Sequence, residues 1–109
     1  MSVDRYTYRI TWSPDDVEYV GVCLEFPSLS WLSASQEAAL KGIRKAVHGV
    51  VLDMEEKGET IPTALAEKSY SGKILVRMPP DVHRNLVLQA AEAGVSLNRL
   101  VNSKLSQAL

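Results

Sequence analysis

The residue types that could carry a reaction are scattered along this chain rather than gathered. Phosphodiester cleavage on two metal ions needs several carboxylates at one point, so that each ion can stabilise an attacking or leaving oxygen. Asp15, Asp16 and Glu18 fall in one predicted turn, and Glu55, Glu56 and Glu59 fall at the far end of a predicted helix. Glu25 is the one acidic residue inside a predicted strand. Cys23 has no base beside it in the sequence and reads as strand packing, not as a nucleophile. His48 reads as a solvent-face residue of a helix, and His83 and Arg84 as surface residues near the start of another. A glycine-rich phosphate loop and a Cys/His metal-ligand spacing are both missing from the sequence. The expectation is a protein that is not an enzyme, with no catalytic residue, no metal site and no cofactor.

The chemistry that the spacing does support is recognition. Residues Lys73 to Met78 alternate, with Ile74, Val76 and Met78 on one face and Lys73, Leu75 and Arg77 on the other, the period of a half-buried strand. Pro79 and Pro80 stop it. A helix is predicted behind them, with Asp81 near its positive end, running through Val82, Leu86 and Ala90 to a stop at Gly94. Ser96 suits an N-cap, and Leu97, Leu100, Val101, Leu105 and Ala108 then recur at helical spacing. A lone strand leaves both edges unpaired, and a unit this short seldom buries enough surface to fold alone. A second copy answers both needs, with Ile74, Val76 and Met78 as the dimer core, each contributing roughly 1.5 to 3 kcal/mol on burial.

The order strand, helix, turn, helix in this segment resembles the ribbon-helix-helix module of Arc- and MetJ-type bacterial repressors, in which a two-stranded ribbon lies in the DNA major groove. The stretch YSGKILVRMPPDVHRNLVLQAAEAGVSLNRLVNSKL is more closely similar to the C-terminal region of HicB-family antitoxins. The resemblance implies that Lys73, Leu75 and Arg77 face base edges. Leu75 would make an apolar contact where a polar residue is more usual. It also implies that Ser96, Leu97 and Asn98, at the start of the last helix, hold a phosphate.

At 109 residues and 46% hydrophobic, with a single cysteine and no apolar run of membrane-spanning length, the chain reads as a small soluble protein of the cytoplasm, with no membrane partner. Its formal charge of -1 hides a division. Residues 1–70 hold eleven acidic and seven basic side chains, whereas residues 71–109 hold two acidic and five basic ones. The tail therefore suits a polyanion, and the front suits a basic partner.

In the front, Tyr6, Tyr8, Ile10 and Trp12 alternate with polar residues, and alternation resumes from Tyr19 to Phe26, which predicts a hairpin whose second strand ends at Pro27. A short third strand is expected around Leu29 to Leu32. A helix capped in the region Ser33 to Ser35 follows, with an apolar stripe of Ala39, Leu40, Ile43, Ala46, Val47, Val50, Val51 and Met54, ending at Gly58. The stretch YVGVCLEFPSLSWLSASQEAALKGIRKAV resembles the N-terminal domain of the same HicB family, a pared-down RNase H-like unit.

The expected fold class is therefore α+β: a small antiparallel sheet packed by one helix over residues 1–62, a linker over 63–72, and a dimeric ribbon-helix-helix module over 73–109. The resemblance implies an antitoxin that blocks a small basic HicA-like RNA-cleaving toxin and represses its own operon at operator DNA. Val87 and Leu88 leave a tetramer open beyond the homodimer. The alternative is a ribbon-helix-helix regulator whose front senses a small molecule and has no toxin partner.

Overall fold

The computed structural model describes residues 3–109, which divide into two compact units at the boundary between Tyr70 and Ser71. The architecture is α+β. In the first unit a 3-10 turn at Val3–Arg5 precedes strands β1 (Tyr8–Ser13), β2 (Glu18–Cys23) and β3 (Phe26–Ser33), and helix α1 (Gln36–Lys57) follows. The strands form one antiparallel sheet in sequence order, with Ile10 opposite Gly21 and Gly21 opposite Trp31.

Alternation alone left open which side of β2 would be covered. The small side is covered: Gly21 and Cys23 are buried beneath α1, while Val20 and Val22 on the other side stay half-exposed. The reason is closeness of approach. A Cβ on Gly21 would sit 2.7 Å from the Ala39 carbonyl oxygen and 3.0 Å from Ile43 Cγ2, and a Cβ on Gly42 would overlap the Trp31 indole. Helix and sheet can meet this closely only where no side chain intervenes. Ala substituted at Gly21 should therefore cost about 2 kcal/mol by overpacking, lowering the melting temperature of this unit by roughly 10 °C in a circular-dichroism melt.

The expected stripe of α1 forms the core, with Ala39, Ile43, Val47 and Val51 essentially inaccessible and Leu40 left exposed. Tyr6, Cys23, Phe26 and Ala64 complete it, Tyr6 and Phe26 meeting edge to face at 5.4 Å. Ser35 caps the helix by accepting from the Ala38 N–H at 3.1 Å, and Gly58 ends it in the left-handed conformation at φ 69°.

Pro27 does not end a strand, as the sequence suggested. It is the second residue of the eight-residue edge strand β3, where a missing N–H is tolerated because one edge has no partner. Within the segment expected as a linker, Leu65–Glu67 form a 3-10 turn, and residues up to Tyr70 group with the first unit. Ala64 is buried there, and Tyr6 donates its hydroxyl to the Pro62 carbonyl at 2.7 Å.

The second unit, 71–109, holds helices α2 (Pro80–Ala93) and α3 (Leu97–Ala108). Pro80 opens α2, where a proline's missing N–H is not required. Gly94, at φ 68°, closes it, with the Val95 N–H donating to the Ala90 carbonyl at 3.0 Å. Ser96 caps α3 by accepting from the Arg99 N–H at 3.1 Å.

Candidate functional site

The second unit is short of core. Ala90 is its one buried apolar residue, while Leu86, Leu97, Leu100 and Val101 are half-buried between α2 and α3. The segment Lys73 to Met78 is not helical, and in the single chain it pairs with no strand. Its apolar residues stand in solvent, Ile74 at 81% and Val76 at 59% exposure. Val76 and Met78 form one wall of a cleft of about 480 Å³ whose other lining includes Leu86, Leu97 and Val101, with Arg77 and His83 at its polar margin. The cleft is apolar and open, in a unit that buries almost nothing by itself.

Arg77 joins this margin, and Lys73 and Leu75 are exposed with it on the same segment. The ion pairs among the described residues all lie in the first unit: Arg5 with Glu67, Arg44 with Asp4, and Lys57 with Asp53. Lys73 and Arg77 thus carry charge without a carboxylate partner. At the start of α3 the Ser96 oxygen is taken by the Arg99 N–H, and the Leu97 side chain lines the cleft. An anion there could be met by the first backbone N–H groups of the helix, by the Ser96 O–H and by Asn98, which is exposed.

The carboxylate that stood out in the sequence is engaged internally. Glu25 Oε1 accepts from the Thr7 N–H at 2.9 Å and from Cys23 Sγ at 3.5 Å; Oε2 accepts from the Leu65 N–H at 3.0 Å and from Thr7 Oγ1 at 3.1 Å. Partial burial would raise its pKa, but the Leu65 and Thr7 N–H groups outweigh that and hold it below the ordinary 4.5. Burial pushes the neighbouring Cys23 thiol up, away from a reactive thiolate. Tyr8 is pushed up to about 12 by burial and by the nearby Cys23 and Glu25. Glu25 is thus a structural acceptor joining β1, the β2–β3 turn and the return segment, a role its sequence position did not announce. No group of three or more potential metal ligands occurs among the described residues.

Together the two units define a class: a closed α+β front joined to a tail whose apolar segment is left uncovered beside two unpaired cations. Residues 55–105, slightly under half the chain, match the model of the HicB family. The match spans the end of α1, the return segment and the tail through most of α3, and leaves the three-stranded sheet outside it. No curated protein and no solved structure matches the chain. Among the described residues no helix is long and apolar enough to cross a membrane.

Proposed function

We propose that this chain is the antitoxin of a toxin–antitoxin pair, working by occupancy in the cytoplasm. In this reading two tails pair through Lys73 to Met78 as an antiparallel ribbon, forming a ribbon-helix-helix dimer that binds operator DNA and represses the operon. The front holds a small basic HicA-like toxin. The observation that carries the reading is the exposure of Ile74, Val76 and Met78 within the region matching the HicB family, in a unit with one buried residue.

Arg77 and Lys73 would donate to guanine edges, and Leu75 would contact a thymine methyl. The backbone start of α3, at Ser96, Leu97 and Asn98, would fix the phosphate register. Two-fold symmetry then requires a pseudo-palindromic site. Replacing Arg77 with alanine should weaken operator binding by about 1 to 3 kcal/mol and relax sequence preference. A titration on the upstream region of the gene checks this, and equal affinity of parent and variant would reject the role.

A regulator with a ligand-sensing front is the second reading, favoured by the fact that the family match leaves the sheet uncovered. Co-expression with the neighbouring reading frame separates the two: an antitoxin retains that frame's small basic product through purification, and a ligand-sensing regulator does not.

A further inference from the structure

The longest run of the chain without a basic residue extends from Ile10 to Leu40, and it contains Asp15, Asp16, Glu18, Glu25 and Glu37. Glu25 is used internally, while Asp15, Asp16 and Glu37 are exposed and Glu18 is half-buried. At the end of the sheet where α1 begins, Trp12 lies opposite Tyr19, their rings meeting edge to face at 5.0 Å. Trp12 keeps 49% of its surface exposed, and Val17, in the adjoining turn, keeps 68%. That turn is held closed by the Val17 N–H donating to the Ser13 carbonyl at 2.9 Å and by Ser13 Oγ donating to Asp16. By alternation Arg9 of β1 and Glu18 of β2 belong to the opposite face of the sheet, and Glu37 lines one pocket with Lys41 and Arg44, so Asp15 and Asp16 in the turn are the acidic rim beside Trp12.

We infer that the Trp12–Tyr19 pair and its acidic rim form the docking surface for a basic protein segment, one that presents arginine or lysine beside apolar side chains. The inference deepens the proposed antitoxin role by assigning the face of the front unit that receives the partner. Three physical facts converge on this occupant. Exposed Trp and Tyr are the side chains that anchor protein interfaces, because they offer large rigid area. A guanidinium or ammonium group is attracted to the face of an indole. The carboxylates of Asp15 and Asp16 in the adjoining turn favour a cationic group and disfavour phosphate, so nucleic acid is disfavoured here.

The test uses the full chain and a defined probe, a short peptide of alternating arginine and leucine, with its glutamate–leucine counterpart as control. Calorimetry should detect the basic peptide only, and its affinity should fall as salt is added. Trp12→Ala should weaken it about thirtyfold, and Trp12→Phe only a few-fold. Neutralising Asp15 and Asp16 as amides should remove most of the salt dependence. Trp12→Ala gives up the buried half of the indole and its ring contact with Tyr19, so binding is measured well below that variant's own melting temperature, with far-ultraviolet circular dichroism confirming that it is folded, which separates lost docking from lost folding.

Equal binding of both peptides, or of parent and Trp12→Ala, overturns the inference. So does self-association of the parent that Trp12→Ala abolishes, because the patch would then be an interface between copies. Co-expression with the neighbouring frame distinguishes this failure from failure of the antitoxin role. Retention by parent and Trp12→Ala alike removes the surface and keeps the role. Basic-peptide binding without retention keeps the surface and removes the role.

Discussion

In the proposed ribbon dimer, replacing Val76 with aspartate should abolish both association and operator binding. In the isolated chain Val76 is more than half exposed, and an aspartate on such a surface should change stability by less than about 0.5 kcal/mol. In a ribbon paired about a two-fold axis the same substitution acts twice. Each copy forfeits roughly 1.5 to 3 kcal/mol of apolar burial and also places a carboxylate against hydrocarbon. The expected cost exceeds about 5 kcal/mol per dimer, more than a thousandfold in association. Light scattering at micromolar protein, run beside an operator titration, reads both losses. Val76→Ile should keep the dimer, since it preserves the apolar face. If Val76→Asp associates as the parent does, the ribbon is not the interface, and the exposure of Ile74 and Met78 needs another occupant.

The reasoning behind that expectation also marks how far the sequence could be read. Helix α1 was legible because its stripe from Ala39 to Met54 is long and regular, and Ser35 and Gly58 bracket it with side-chain and backbone chemistry that few other residues supply. Gly94 and Ser96 punctuated the tail for the same reason. The covered side of β2 was not legible. Val20 and Val22 look like core residues and Gly21 like a weak point, yet closeness of approach made the glycine side the interior. Pro27 misled because a proline signal does not distinguish a strand's end from its unpaired edge. The aromatic pair of Trp12 and Tyr19 was invisible as a pair until the register set them opposite each other. In the tail, alternation predicted a strand over Lys73 to Met78, and in the single chain that segment is not helical and pairs with no strand.

The Glu25 carboxylate should make the front unit acid-sensitive, and removing it should be the most costly single change to that unit's polar groups. Its folded pKa lies below the ordinary 4.5, because the N–H groups of Leu65 and Thr7 favour the charged form. For a carboxylate held low in this way, the stabilisation is fully present above the unfolded value and is lost as pH falls through the folded one. The front should therefore hold constant stability above about pH 5 and lose it progressively below about pH 4.5, with protons taken up on unfolding in that window. Glu25→Leu would leave the Thr7 and Leu65 N–H groups without their acceptor, at about 1 to 3 kcal/mol each. A total near 4 kcal/mol is comparable with the whole stability of a unit this size. Glu25→Gln should cost less, because one oxygen remains to accept, and it should flatten the acid dependence, because nothing is left to titrate at that position. Urea melts of the three proteins across the acid range measure both effects. The leucine variant should also release the return segment at Leu65 first, which hydrogen exchange at the Leu65 amide would report before global unfolding. Should Glu25→Gln match the parent at neutral pH and lose stability just as steeply in acid, the carboxylate is not what holds β1, the β2–β3 turn and the return segment together.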